Sequence, residues 1–186
     1  MKIVNLNKRF GKKVIFNDSF FEFEDHKITY ITGESGIGKS TLLRILAGLD
    51  KDYKGEIITD SSKISYVFQD SRLFSNLTVE ENVKIVSESS PYTSDQVLSL
   101  VELDDEKYAL PSSLSGGMKM RVALARALYN DGDIYLMDEP FSALDDATRE
   151  RILPKIFEFL KGKTIIIVSH NLIEANKYAD KIINLD

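Results

Sequence analysis

Apolar positions along the chain follow two alternating patterns, one typical of short strands and one typical of helices. Residues 2–6 and the alternating residues 21–24 predict strands, with a turn at residues 10–12. Residues 28–32 predict a buried strand, and residues 133–137 and 164–168 are apolar enough to be central parallel strands covered on both faces. We therefore predict an antiparallel β portion near the start and a mostly parallel sheet after it.

Helical spacing of apolar positions separates these strands. It predicts helices over residues 40–47, from about 115 to 128, and over residues 147–160, where Pro154 is expected to cause a kink or a restart. Short helical pieces fill residues 78 to about 110, and residues 181–185 predict a last strand. Such alternation, without a linker, predicts one α/β domain over residues 1–186, with a short helical subdomain at about 75–128 inserted in the core.

Composition limits the classes of function that remain open. The 186 residues are 43% hydrophobic, enough for one core, and contain no cysteine for disulfides or thiolate metal sites. With 29 acidic and 24 basic residues the net charge is -5, so no excess of cations favours nucleic acid. No apolar run approaches the ~20 residues of a membrane helix. We expect a soluble chain whose membrane role, if any, requires a partner.

A glycine-rich turn follows the strand at residues 28–32 and precedes a helix. It matches the pattern G-x-x-x-x-G-K-[ST]: Gly33, Glu34, Ser35, Gly36, Ile37, Gly38, Lys39, Ser40 and Thr41. Glycines let successive N–H groups surround a phosphate, and the helix directs its positive end at it. Lys39 can contact the β and γ oxygens, Ser40 can bind Mg²⁺ and Thr41 can reach the α-phosphate. The pattern predicts nucleotide binding, but kinases, GTPases and transport ATPases all remain open.

Two carboxylates end the apolar strand near residue 137. Asp138 and Glu139 should leave the strand on opposite sides. An isolated Asp-Glu pair often does no more than end a strand. Together with the phosphate loop, however, the pair predicts that Asp138 holds hydrated Mg²⁺ and that Glu139 orients and deprotonates the attacking water. Because ligands gather at the carboxyl ends of parallel strands, we expect Gly33, Glu139 and His170 along one sheet edge.

A second candidate anion site is the run Leu-Ser-Gly-Gly-Met at residues 114–118, which opens a basic helix. This run resembles the signature sequence of ABC transporter ATPases, and the other motifs stand in that family's order from Phe10 to His170. The resemblance implies a P-loop NTPase fold with an ABC-type core. It also implies that Ser115, Gly116 and Gly117 bind the nucleotide held by a second subunit, so that dimerisation is required for catalysis.

The resemblance implies roles for four more residues. Gln69 resembles the glutamine that contacts Mg²⁺ or the attacking water, although a solvated loop glutamine is the alternative. Asp145 resembles the aspartate of the loop that crosses the dimer interface, and it can also cap the next helix. His170 matches the histidine that contacts the γ-phosphate. Phe10 matches the aromatic residue that stacks on adenine, with a core phenylalanine as the alternative.

Taken together, the resemblance implies an ATPase subunit that binds ATP and Mg²⁺ and powers solute transport through a separate integral membrane permease. We expect a dimer, most simply a homodimer, on the cytoplasmic face of the cell membrane. Residues 114–118 and 138–145 are similar to those of importers of nitrate, sulfonate or related small solutes. The alternatives are a soluble ABC-type ATPase in DNA repair or translation, and a regulatory clamp without turnover.

Overall fold

The computed structural model describes residues 1–60 and 63–186, which form two compact units. The first unit consists of Met1–Ile64, Asp133–Asp138 and Gly162–Asp186, and the second of Ser65–Gly132 and Glu139–Lys161. In chain order the elements are β1 (Lys2–Phe10), β2 (Lys13–Glu22), β3 (Ile28–Thr32), α1 (Lys39–Leu46), β4 (Lys54–Ile58), β5 (Ile64–Val67), α2 (Val79–Lys84), α3 (Ser94–Leu100), α4 (Gly116–Asn130), β6 (Ile134–Asp138), α5 (Asp146–Phe159), β7 (Thr164–Val168), α6 (Leu172–Tyr178) and β8 (Lys181–Asn184). The chain thus has the mixed α/β architecture expected from its sequence.

The first unit contains an antiparallel sheet and four parallel strands. The antiparallel strands are ordered β2-β1-β4, and the β1–β2 hairpin turns at Gly11, whose φ is 58°. The parallel strands are ordered β6-β7-β3-β8. Every residue of β6 and β7 is buried, which explains why their sequences are almost continuously apolar.

Register in the parallel strands brings three strand ends to one edge. Val168 pairs with Ile31 on one side and with Asp138 on the other. The carboxyl ends of β3, β6 and β7 therefore lie side by side, and the segments that follow them leave from the same edge. That edge is where open parallel sheets bind ligands.

The second unit is mostly helical, and its helices begin where the sequence provides caps. Thr78 and Thr93 cap α2 and α3, each in a capping box with the glutamate or glutamine three residues later. Helix α4 packs against both α2 and α3. Asn82, which is fully buried, donates to the carbonyls of Phe74, Leu77 and Thr78. These bonds fix the chain that leads into α2.

Several features differ from the sequence expectations. Strand β2 occupies Lys13–Glu22 rather than residues 21–24. Of the kink or restart expected at Pro154, the restart does not occur, because α5 is continuous through that residue; Pro154 is exposed, and water can satisfy the carbonyl that loses its helical partner. Strand β4 and the seven-residue helix α6 were not expected. Both are short and largely exposed on one side, which weakens their apolar periodicity. Across the part of the chain described here, no helix is long and apolar enough to cross a membrane.

Lys8 carries a buried ammonium group in the first unit. Lys8 is only 2% exposed, and its Nζ lies 2.9 Å from Asp50 Oδ2 and 2.6 Å from the Asp52 carbonyl oxygen. We expect Lys8→Met to lower the free energy of unfolding by about 2 kcal/mol, because it leaves Asp50 without its cation. Denaturant unfolding measures the change. The matched control is Lys2→Met on the same strand, whose Glu22 ion pair is exposed and should leave stability unchanged; equal effects would contradict the prediction.

Candidate functional site

The loop between β3 and α1 has the backbone that its glycines predict. Gly33, Gly36 and Gly38 have φ values of 136°, 76° and 124°, which other residues rarely adopt. Gly38 is also confined by its surroundings, since a Cβ built there would lie 2.5 Å from Ile15 Cγ2 and 3.0 Å from Phe16 Cζ. Strand β2 therefore packs directly on the last turn of the loop.

Lys39 points back into this loop. Its Nζ donates to the carbonyl oxygens of Gly33 and Glu34 at 2.7 and 2.8 Å, and the residue is only 6% exposed. The ammonium is thus held at the centre of the loop by acceptors that a phosphate oxygen can replace. Lys13 Nζ contacts the loop from outside, at 3.2 Å from the Gly36 carbonyl oxygen.

The start of α1 differs from that of the other α-helices. Side chains cap the starts of α2 to α6, whereas α1 alone among the α-helices of the described residues begins without a side-chain cap, after Gly38. Its first-turn N–H groups are consequently available to an external acceptor. An uncapped helix start beside a lysine and a glycine loop is suited to binding phosphate.

Two oxygen ligands meet beside this helix start. Ser40 Oγ donates to Asp138 Oδ1 at 2.9 Å, which joins α1 to the end of β6 within the first unit. Burial raises the pKa of the Asp138 carboxyl, while the Ser40 hydrogen bond and the charges of Arg44 and Lys39 oppose the rise. A divalent cation would offset the cost of this buried carboxylate. A hydroxyl and a carboxylate suit Mg²⁺, which takes its remaining ligands from phosphates and water.

Phe10 and His170 also belong to the first unit. Phe10 ends β1 and is 53% exposed, so it is not a core residue. Lys8 Nζ lies 4.7 Å from the centroid of its ring. This contact holds the aromatic ring in place by a cation–π interaction. His170 is exposed and follows β7 by two residues, at the edge where β3 and β6 also end.

In the second unit, Ser115 begins α4. Its Oγ accepts the Met118 N–H at 3.2 Å, so the hydroxyl hydrogen can still be donated to a ligand. Gly116 and Gly117 form the first helical positions. This helix start is capped, in contrast to that of α1.

Glu139 follows Asp138 in the chain and belongs to the second unit. Its φ is 48°, an uncommon value for a residue with a side chain. Asp145 caps α5 by accepting the Thr148 N–H at 2.9 Å, and this hydrogen bond lowers the pKa of its carboxyl. Asp145 is therefore a helix cap, as expected, and its exposed side chain also remains accessible.

Gln69 lies in an exposed loop whose two flanks are fixed. The Arg72 guanidinium stacks over the Phe68 ring at 3.9 Å from its centroid. Arg126 of α4 donates to the carbonyl oxygens of Ser71 and Arg72 at 2.8 and 3.0 Å. The loop that presents Gln69 is thus attached to α4, the helix that Ser115 caps.

Two residues that contact the phosphate loop or the end of the strand before it were missed from the sequence. Asp186 Oδ1 accepts the Glu34 N–H at 2.7 Å, and Asn184 Oδ1 accepts from Thr32 Oγ1 at 3.3 Å. A Cβ on Gly33 would lie 3.2 Å from Asp186 Oδ1. No motif marks these residues; only the pairing of β8 with β3 reveals them.

Comparison with known proteins gives a consistent match over most of the chain. Residues 16–142 match the family described as ABC transporter. The aliphatic sulfonates import ATP-binding protein SsuB of Bacillus cereus is 40% identical over 191 residues, covering 95% of this chain and 76% of that protein. SsuB 2 of Pseudomonas syringae pv. tomato is 38% identical over 181 residues, covering 95% of this chain and 78% of that protein.

Solved structures agree with the sequence matches. A dimeric ATP-binding cassette in a post-hydrolysis state, bound to ADP and Pi, superposes with a TM-score of 0.87 at 30% identity. The alignment covers 100% of this chain and 94% of that structure.

Proposed function

Because this chain belongs to the ABC transporter family, we propose that the residues described above bind and hydrolyse ATP at the interface of a dimer. The chain is an ABC-type ATPase subunit that binds ATP and powers transport through a separate permease. The contact between Ser40 and Asp138, beside the uncapped start of α1, is the observation that carries the assignment of residues.

Residues of the first unit hold the triphosphate and the adenine ring of ATP. Backbone N–H groups of residues 33–41 surround the phosphates, and Lys39 exchanges its two loop carbonyls for phosphate oxygens. One face of the Phe10 ring stacks on adenine, while the Lys8 ammonium contacts the other face of the ring. Ser40 and Asp138 would hold Mg²⁺, and the ion would neutralise negative charge on the phosphates.

Hydrolysis requires an activated water on the far side of the γ-phosphate. Glu139 accepts a proton from that water as general base. His170 donates a hydrogen bond to the γ-phosphate, and Gln69 orients the water or contacts Mg²⁺. The oxygen of water forms the new P–O bond as the bond to ADP breaks.

The second anion site acts in trans in this proposal. Ser115, Gly116 and Gly117 contact the γ-phosphate held by the partner chain, and Asp145 approaches the same nucleotide. A free hydroxyl hydrogen on Ser115 and exposed positions at the start of α4 support this role. ATP then links two copies of the chain into a homodimer.

The resemblance to SsuB extends the proposal to transport. We place the dimer on the cytoplasmic face of the cell membrane, bound to an integral membrane permease, with no nucleic-acid partner. Import of a small anionic solute such as a sulfonate is the direction that the relatives' names favour. We also propose that residues 1–186 act as one ATPase domain, in which about 75–128 forms the helical subdomain.

Mixing two inactive variants tests the shared site. Lys39→Ala and Ser115→Ala should each hydrolyse little ATP alone. In a mixed dimer, one site carries both changes and the other carries neither, so turnover should recover to roughly a quarter of the unaltered level after random pairing. Steady-state phosphate release from a titration of one variant with the other measures the recovery.

The control mixes each inactive variant with a chain that carries both substitutions. Every site in that mixture contains at least one change, so no recovery is expected. If the two single variants also fail to recover activity although mixed dimers form, Ser115 does not act in trans and the proposal is wrong.

A further inference from the structure

Residues 141–145, here called the turn segment, are folded by short-range hydrogen bonds. Ser142 donates to the Glu139 carbonyl oxygen from its N–H at 3.2 Å and from its Oγ at 2.9 Å. The Leu144 N–H donates to the Phe141 carbonyl oxygen at 3.2 Å. Phe141 and Leu144 are buried. The segment is thus two linked turns anchored by two apolar side chains.

Arg149 of α5 holds the turn segment from one side. Its Nη2 donates to the carbonyl oxygens of Phe141 and Leu144 at 3.2 and 2.8 Å, and its Nη1 contacts Asp146 at 2.7 Å. Its Nε is buried without a hydrogen-bond partner in the described residues. The guanidinium therefore leaves one N–H without a hydrogen bond while it binds two carbonyl oxygens of the segment. These two hydrogen bonds restrict how the segment can move.

The start of α4 approaches the same segment at another carbonyl. A Cβ built on Gly117 would lie 2.9 Å from the Ala143 carbonyl oxygen, closer than real Cβ atoms come to such an atom. At Gly116, one residue earlier, a Cβ would meet nothing within 4 Å in the part of the chain that the structure describes. The two adjacent glycines of the motif therefore have different surroundings.

We propose that Gly117 is a positioning residue whose missing side chain lets α4 and the turn segment pack backbone against backbone. Ser115 and Asp145, at the starts of α4 and α5, are thereby presented as one rigid element. The inference rests on the proposed function, in which both residues act on the partner's nucleotide. It gives Gly117 a role within its own chain that does not depend on any contact with ATP.

Alanine substitution should affect the packing of the turn segment differently at the two glycines. Alanine favours a helix over glycine at either position, and neither glycine has a positive φ. At Gly116 this preference acts alone. At Gly117 it is opposed by the Ala143 carbonyl, which belongs to the backbone and cannot rotate away as a flexible side chain could. Gly116→Ala should raise the unfolding midpoint, whereas Gly117→Ala should displace the turn segment.

Amide hydrogen exchange on the nucleotide-free chain tests this directly. In Gly117→Ala the Leu144 amide should exchange about tenfold faster than in the unaltered chain, because its turn opens more often. In Gly116→Ala it should exchange at the unaltered rate or more slowly. Amides of β7 should keep their protection in both variants. Equal Leu144 rates in all three chains would overturn the inference.

Steady-state kinetics and ATP binding together give a second test, because a loss of folding would lower both turnover and ATP affinity. Gly117→Ala should lower kcat, while monomeric chain binds ATP with unaltered affinity through its own phosphate loop. If Gly117→Ala does not yield folded protein, Arg149→Met releases the turn segment by removing the hydrogen bonds to its carbonyls. The Leu144 and Met118 amides should then both exchange faster, because Ser115 caps Met118 in the same element; an unchanged Met118 rate refutes the coupling.

The exchange experiment contains no nucleotide, so its outcome is independent of the proposed function. If mixed variants fail to recover ATPase activity but Gly117→Ala still loosens the turn segment, the rigid element stands and only its action in trans is lost. If activity recovers and exchange does not change, the proposed function stands and the role of Gly117 is wrong.

Discussion

ATP turnover is expected to fall by two to four orders of magnitude in a Glu139→Gln variant, about the contribution of a well-placed general base. ATP affinity should stay near its unaltered value, because glutamine keeps the size of the side chain and removes only its ability to accept the proton. The backbone at residue 139 already has a φ of 48°, and glutamine tolerates it as well as glutamate does. Steady-state phosphate release and equilibrium ATP binding measure the two effects separately.

Glu158→Gln is the matched control for this chemical change. Glu158 lies on α5, its side chain is 77% exposed, and it forms only a loose ion pair with Lys161 at 3.6 Å. Turnover by this variant should equal that of the unaltered chain.

ATP-bound Glu139→Gln should also accumulate as a stable dimer, because the step that separates the protomers is slowed. Hydrolysis at an undiminished rate would remove Glu139 from the mechanism.

The phosphate loop was predictable because its requirements are local. Glycines at three positions permit the positive φ values that the loop adopts, and the lysine and serine follow at fixed spacing. Strands β3 and β7 were predicted with their observed bounds, since four of the five residues of β3 and all five of β7 are buried and most of them are apolar. In such segments the sequence pattern and the tertiary environment indicate the same structure.

Contacts between distant segments were not predictable in the same way. Asp186 accepts the Glu34 N–H only because β8 pairs beside β3. The carbonyl of Ala143 lies near Gly117 only because two loops pack together within the second unit. Each contact depends on backbone placement that no residue type encodes. The motifs predicted which residues carry the chemistry, and the structure was needed to show what holds those residues in place.

The two helix starts proposed to bind phosphate differ in how their N–H groups are satisfied without ligand. Helix α1 has no side-chain cap, and Lys39 bonds to loop carbonyls beside it. Helix α4 is capped by Ser115. An uncapped start has more to gain from a phosphate than a capped one does. We therefore infer that ATP binds first to the loop of one chain and that α4 of the partner engages it afterwards.

That order makes Lys39 the residue on which ATP affinity most depends. Lys39→Gln should weaken ATP binding about 100-fold or more, because two charge-assisted hydrogen bonds to phosphate are lost. Without nucleotide the variant should unfold near the unaltered midpoint, since the glutamine amide can still donate to a loop carbonyl. ATP at 100 times the unaltered Kd should stabilise the unaltered chain by about 2.7 kcal/mol but this variant by no more than about 0.4 kcal/mol, so it should raise the midpoint of the variant far less.

Lys51→Gln provides the comparison. Lys51 is exposed in the loop after α1, and its substitution removes one positive charge from the same unit, as Lys39→Gln does. It should bind ATP and gain stability from ATP as the unaltered chain does. Lys39→Gln and Glu139→Gln then fail at different steps: the first does not retain ATP, and the second retains ATP without hydrolysing it. If Lys39→Gln bound ATP with unaltered affinity, the ammonium would have no part in holding the triphosphate, and the order of binding inferred from the uncapped α1 would lose its basis.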